Sequence, residues 1–211
     1  MSLDYSLYLV TDSTQAGGVD RVPAVVAEAI AGGVTVVQVR DKLIDDKTFT
    51  RLLLAVDEVA RPAGVPVFVN DRVHLAARHG FHVHIGQADE ALPAAREALG
   101  PDLLIGLSAS TEAEVDAAVA TDVRPDLLGI GPVFPTSTKL DAGPALGIDG
   151  LDRLARRAAG HGIPAVGIGG ITATTIGEVR ATAAVGACVV SAVMAAADPR
   201  AAALELSEVL R

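Results

Sequence analysis

Eight short apolar runs recur along the chain, and they constrain its fold more than any other feature. They are LYLV (7–10), VTVVQV (34–39), VPVFV (65–69), HVHI (82–85), LLIGL (103–107), LLGIG (127–131), PAVGI (164–168) and ACVV (187–190). Near-continuous apolar runs of this length suit parallel strands packed under helices. Ala-rich segments with helical periodicity lie between them. RVPAVVAEAIAGG carries apolar residues at 22, 25, 26, 29 and 30 and stops at Gly32-Gly33. The next segment starts at Asp45 or Asp46, either of which can cap it. Thr111 followed by Glu114 is a capping-box pattern. A later helix is expected to open at Thr172, and another to carry Pro199 in its first turn. Strands and helices alternating in this number predict an α/β fold, a (β/α)8 TIM barrel, rather than an open sheet. No linker or shift in composition divides the chain, so one barrel domain over residues 1–211 is expected.

The chain is 50% hydrophobic but only 3% aromatic, with no Trp, so its core must be built from Val, Ile, Leu and Ala. A net charge of −9 argues against nucleic acid and anionic membrane as partners. Cys188 is the single cysteine, so no intramolecular disulfide can form, and its apolar setting in ACVVS fits an inert buried thiol. The start, MSLDYSLYLVTD, lacks a basic segment followed by a long apolar one. No run approaches the roughly 18 apolar residues of a membrane span. A cytoplasmic protein is expected. An acidic protein that binds phosphates must gather its cations locally, which draws attention to its three lysines, Lys42, Lys47 and Lys139.

In such a barrel the chemistry sits where the strands end at their C-termini. The successive exits offer Thr11 and Asp12; Gln38, Arg40 and Lys42; Asn70, Asp71 and Arg72; His84, Gln87 and Asp89; Ser108; PTSTK (135–139); GIGGI (167–171); and Ser191. Gln38, Arg40 and Lys42 alternate, so all three should point the same way, inward toward an anion or a carboxylate. Asp71 and Asp89 beside these cations suit Mg²⁺ shared with a diphosphate. They suit equally well helix caps or ion pairs to Arg40 and Lys42. The glycines of GIGGI would let backbone N–H groups approach a phosphate, with Ser191 and the backbone after it completing the site. A tight turn into a helix is the alternative. The loop GIGPVFPTSTKLDAG (129–143) is either a solvated turn or an anion site. His82 and His84 share a strand face, but no other strand exit supplies the further histidine that a zinc site of this kind wants. His74, His79 and His161 fall in helix or loop segments and are expected at the surface.

LYLVTD, VQVRDK, VNDR, HIGQAD, GPVFPTSTK, GIGGI and VVSAV, in this order, resemble the thiamine phosphate synthase family from about residue 7 to 194. The resemblance implies a (β/α)8 barrel, usually a homodimer. It implies an Mg²⁺-dependent transferase joining hydroxymethylpyrimidine diphosphate to hydroxyethylthiazole phosphate or its carboxylated tautomer. It further implies Arg40, Lys42, Asn70 and Lys139 as diphosphate ligands, and Asp71 and Asp89 as Mg²⁺ ligands. Gln38 and Ser108 become pyrimidine contacts. Thr136, Thr138, Gly170, Ser191 and Ala192 become the thiazole-phosphate site. Lys139, Arg40, Lys42 and Ser108 carry the catalytic roles. One stretch departs from the family pattern: Gly80-Phe81-His82-Val83-His84 stands where A-D-G-V-H is usual. The related thiazole tautomerases, a non-catalytic sensor of thiamine phosphates and a sugar-phosphate isomerase barrel are the rival readings. The joint presence of Arg40, Lys42, Asp71, Asp89 and Lys139 argues against them.

Overall fold

A computed structural model describes residues 3–136 and 143–211 of the chain. Thr138, Lys139 and Asp141, expected in the loop after the sixth strand, lie outside the described residues. The elements alternate as β1 (Leu7–Val10), α1 (Ser13–Ala16), α2 (Val22–Ala31), β2 (Val36–Val39), α3 (Asp46–Ala60), β3 (Val67–Asn70), α4 (Val73–His79), β4 (His82–Ile85) and α5 (Leu92–Leu99). They continue as β5 (Ile105–Ala109), α6 (Glu112–Val119), β6 (Leu127–Ile130), α7 (Gly147–Ala159), β7 (Ala165–Ile168), α8 (Ile176–Arg180), β8 (Gly186–Val189), α9 (Ser191–Met194) and α10 (Pro199–Leu210). All eight strands pair in parallel with their sequence neighbours, and β8 closes onto β1. The expected barrel is therefore present, with every strand overlapping its apolar run.

The strands are apolar throughout because both of their faces are covered. Leu7, Leu9, Val37, Val39, Val83, Ile85, Leu128 and Ile130 point outward into the layer beneath the helices. Their alternates, Tyr8, Val10, Val36, Phe68, Leu127, Val166 and Cys188, fill the barrel interior. Burying one such aliphatic side chain contributes about 1.5–3 kcal/mol, so a continuous outer layer dominates the stability of the fold. The thiol of Cys188 is buried, and its pKa is pushed far up by that burial, which fits an inert core residue.

Helix ends follow their sequence signals with two departures. Asp45, rather than Asp46, caps α3 by accepting from Thr48 N. Thr111 and Glu114 form the reciprocal capping box of α6. Pro199 stands in the first turn of α10, capped by Asp198. By contrast, α8 does not open at Thr172. Residues 172–175 form a turn in which Thr172 N donates to Thr175 Oγ1 and Thr172 Oγ1 lies 2.9 Å from Thr174 Oγ1. Threonine hydroxyls compete with helical hydrogen bonds in this way, and the helix begins only at Ile176. The short α1, capped by Asp12, was not anticipated. No helix among the described residues is long and apolar enough to cross a membrane.

Candidate active site

Inward-facing positions on each strand end in one cavity of about 410 Å³ at the C-terminal mouth of the barrel. Gln38, Arg40, Lys42, Asn70, Asp71, Asp89, Ser108, Thr136, Gly170 and Ser191 all line it. The alternation at the end of β2 thus has the predicted consequence, with Gln38, Arg40 and Lys42 on one side of the chain. Ala192 does not line the cavity; it follows Ser191 in the first turn of α9. Thr11, by contrast, is structural: its hydroxyl accepts from Arg40 N at 3.0 Å and ties β1 to the end of β2.

The floor is polar and ordered. Gln38 is buried, and its Nε2 donates to the Tyr8 hydroxyl at 3.0 Å. Burial raises the Tyr8 pKa well above the usual phenol value, so this hydroxyl stays neutral. His84 Nε2 lies 3.0 Å from Ser108 Oγ, and Gln87 Nε2 donates to Ser108 O at 2.7 Å. A Cβ at Gly106 would fall onto the His84 ring, and one at Gly129 would come within 3.0 Å of it. The two glycines therefore make room for the imidazole against the strands on its β5–β6 side. Sequence reasoning placed His84 at a strand exit but gave it no role at the site. The available signal was the pair of in-phase glycines on β5 and β6, which is legible only once the register is known. His82 and His84 do not serve one site, because His82 Nδ1 accepts from Leu104 N at 3.0 Å and its ring packs on Phe68.

At the exits of β2, β3 and β4, Lys42 Nζ lies 3.1 Å from Asp71 Oδ2. Asp71 caps no helix; the ion-pair alternative holds for Lys42 with Asp71. Asp71 is also within hydrogen-bond reach of the Asp89 carboxyl. Burial first, then Asp89, push its pKa above the usual carboxylate value, and Lys42 opposes them only in part. Asp89 Oδ2 in turn accepts from Gly86 N at 2.7 Å, which fixes the loop that presents it. Asp71 has φ 61, a left-handed conformation uncommon for a residue with a side chain. Two carboxylates pressed together in this way, with hard oxygen donors, fit a small divalent cation. Mg²⁺ takes one or two carboxylates and completes its shell with water and phosphate oxygens. Among the described residues no group of three or more His, Cys, Asp or Glu forms a denser metal cluster.

On the opposite side of the barrel the loops after β6 and β7 are joined. Val133 N donates to Ile168 O at 2.8 Å, and Phe134 N donates to Gly169 O at 3.0 Å. Gly170, at φ 66, is so close to its neighbour that a Cβ there would lie 2.6 Å from Pro135 O. The short α9 starts at Ser191 beside this loop. The first N–H groups of a helix lack intrahelical partners and face whatever lies before it.

Known proteins share this chain's sequence and its fold. The family model described as thiamine monophosphate synthase matches residues 7–193. The thiamine-phosphate synthase of Desulfitobacterium hafniense is 42% identical over 212 residues, covering 100% of both chains. A thiamine biosynthesis multifunctional protein of Corynebacterium efficiens is 45% identical over 98% of the chain, which spans only 29% of that longer protein. A solved thiamine phosphate pyrophosphorylase from Pyrococcus furiosus superimposes with a TM-score of 0.86 at 32% identity, covering 98% of this chain and 96% of that one.

Proposed function

Because the chain belongs to the thiamine monophosphate synthase family, we propose that it joins hydroxymethylpyrimidine diphosphate to hydroxyethylthiazole phosphate. The products are thiamine phosphate and diphosphate. The observation that carries this reading is one cavity with two separate ends suited to anions. Arg40, Lys42 and the Asp71–Asp89 pair stand at the exits of β2 to β4, and Gly170 and Ser191 stand at the exits of β7 and β8. An enzyme with one phosphorylated substrate needs one such end. An enzyme that brings a diphosphate and a monophosphate together needs both.

In this reading the methylene–oxygen bond of the pyrimidine substrate breaks, diphosphate leaves, and the thiazole nitrogen forms the new bond to that carbon. The electron-rich aminopyrimidine carries positive charge well, so neither a nucleophilic side chain nor a strong general base is needed. Gln38 and Ser108 hold the pyrimidine ring, each already fixed by its neighbour, Tyr8 or His84. Arg40, Lys42, Asn70 and Lys139 receive the departing diphosphate and stabilise its developing charge. Asp71 and Asp89 would hold Mg²⁺, which when bound supplies further neutralisation of the leaving group. Ala192, which does not line the cavity, takes no part, while Thr136, Thr138, the Gly170 backbone and Ser191 hold the thiazole phosphate. That places the nucleophile beside the carbon and converts a bimolecular step into an effectively unimolecular one. A homodimer is the assembly that accompanies this reading, and light scattering tests it.

The decisive experiment incubates the purified chain with both substrates and Mg²⁺ and measures thiamine phosphate and diphosphate. Equal release of the two, abolished by EDTA or by omitting either substrate, supports the proposal. Turnover of the thiazole phosphate alone, with no diphosphate released, would replace it by an isomerase function.

A further inference from the structure

Arg72 follows the strained Asp71 directly, yet it does not line the cavity. Its guanidinium turns back toward the β2–α3 loop, the segment that carries Lys42. Nη1 pairs with Asp46 Oδ1 at 2.6 Å. Nη2 donates to Ile44 O at 2.7 Å and to Asp41 O at 3.1 Å. The same guanidinium lies 4.4 Å from the centroid of the Phe49 ring. Its side chain is only 17% exposed, so these contacts are not a transient surface pairing. A planar fork with several donors in fixed directions can hold two carbonyls and a carboxylate together, which an ammonium cannot do.

We propose that Arg72 is a positioning residue for the diphosphate end of the site. It locks the loop of residues 41–46 to the start of α4, and so sets Lys42 and Asp71 at their working separation. Two features make this specific. Asp71 sits at φ 61, a backbone state that persists only where its surroundings hold it. Its own N donates to His84 O at 2.9 Å on one side, and on the other Arg72 anchors the next residue to a different strand exit. The loop is fastened from below as well, because buried Asp41 accepts from Leu43 N and from the Ser13 hydroxyl. The Lys42–Asp71 pair therefore joins two segments that Arg72 holds through two carbonyls and a carboxylate, with His74 Nε2, 2.8 Å from Asp46 Oδ2, as a weaker, exposed second tie from α4.

The inference rests on the proposed role of Lys42 and Asp71 at a diphosphate–Mg²⁺ site, and its test separates the two ideas. The full chain and its Arg72→Lys variant are compared in two measurements. These are calorimetric binding of inorganic diphosphate in Mg²⁺, and KM for each substrate alongside kcat. Lysine can keep the ion pair to Asp46 but cannot hold both carbonyls. Residues that orient metal ligands typically cost about 10–100-fold in affinity or activity when changed. A loss of that size is expected in diphosphate binding and in KM for the pyrimidine diphosphate, with KM for the thiazole phosphate unchanged. Equal shifts in both KM values, or a lowered melting temperature with unchanged diphosphate binding, would overturn the proposal. Should Arg72→Lys fail to fold, Asp46→Asn loosens the same clamp from an exposed position. A smaller loss confined to the diphosphate substrate is then expected, and no loss would overturn the proposal. If the unaltered chain binds Mg²⁺–diphosphate but forms no thiamine phosphate, the functional proposal fails, while the binding comparison still decides the role of Arg72.

Discussion

The Asp71 carboxylate is held between opposite influences: Lys42 Nζ lies 3.1 Å from its Oδ2, and the Asp89 carboxyl is within hydrogen-bond reach. The repulsive side prevails, because burial and Asp89 together raise the Asp71 pKa despite Lys42. A carboxyl whose pKa is raised by folding contributes stability that is fully present below its unfolded value. That stability is lost as pH rises through the folded value. Ionised Asp71 is therefore a cost to the metal-free fold at neutral pH. Asn adopts the left-handed conformation readily, so Asp71→Asn removes the charge without adding strain. Without metal at neutral pH, the variant should melt above the parent chain, and the difference should close as pH falls into the usual carboxylate range. Its Mg²⁺-dependent turnover should be lost. A lower melting temperature at neutral pH would show instead that the Lys42 bridge outweighs the burial.

Asp89 allows the metal assignment to be tested without disturbing its loop. Its Oδ2 accepts from Gly86 N at 2.7 Å, a bond that the amide oxygen of Asn can keep. Asp89→Asn should raise the Mg²⁺ concentration needed for half-maximal activity by at least about tenfold, given that mere outer-shell partners cost about 10–100-fold. An unchanged Mg²⁺ titration would remove Asp89 from the metal site.

Much of this site is legible in the letters, and the reasons differ from place to place. Gln38, Arg40 and Lys42 could be read because the two-residue alternation of β2 carries on past its end, with Val39 in the outer layer and Asp41 buried against Ser13. The capping box of Thr111 and Glu114 could be read because its chemistry is confined to one helical turn. The start of α8 could not: three threonines close together support a hydroxyl-bonded turn as readily as a cap, and the turn prevailed. His84 could not be given its place because Ser108 lies far along the chain, and the space for its ring is made by glycines on two further strand segments. The clamp of Arg72 onto residues 41–46 escaped for the same reason. Local rules find what neighbours in sequence do; contacts between strand exits require the register of the barrel.

Lys139, outside the described residues, is expected from the family resemblance to meet the departing diphosphate. Lys139→Ala should lower kcat by about 10²–10³-fold, the usual cost of removing one donor aimed at developing charge. The melting transition should be unchanged. A collapsed transition would mark the lysine as structural.

His82 offers a pH test remote from the chemistry. Burial holds its pKa below the usual histidine value, and the Asp126 carboxylate opposes this only in part. The unfolded chain therefore takes up the proton first. The stability tied to neutral His82 is present above the usual histidine value and is lost as pH falls through the lowered folded one. Protonation also removes the lone pair of Nδ1 that accepts from Leu104 N at 3.0 Å. His82→Asn, whose amide oxygen can accept that bond without titrating, should lose less of its melting temperature than the parent chain between neutral and mildly acidic pH. Parallel pH profiles for the two proteins would assign the acid sensitivity to other groups.

The thiazole-phosphate end can be probed separately at Gly170. Its φ of 66 is unfavourable for alanine, at about 1–2 kcal/mol. Space is also lacking, because a Cβ would lie 2.6 Å from Pro135 O and 2.7 Å from Phe134 Cβ. Gly170→Ala must therefore push the loop after β7 away from the loop after β6, straining the bond from Phe134 N to Gly169 O. The two loops carry the groups assigned to the thiazole phosphate, whereas Lys42, Asp71 and Asp89 stand across the barrel. KM for the thiazole phosphate should rise, while binding of inorganic diphosphate with Mg²⁺ should stay as in the parent chain. A variant that loses diphosphate binding to the same extent would show that the two ends of the cavity are not independent, which would count against assigning one to each substrate.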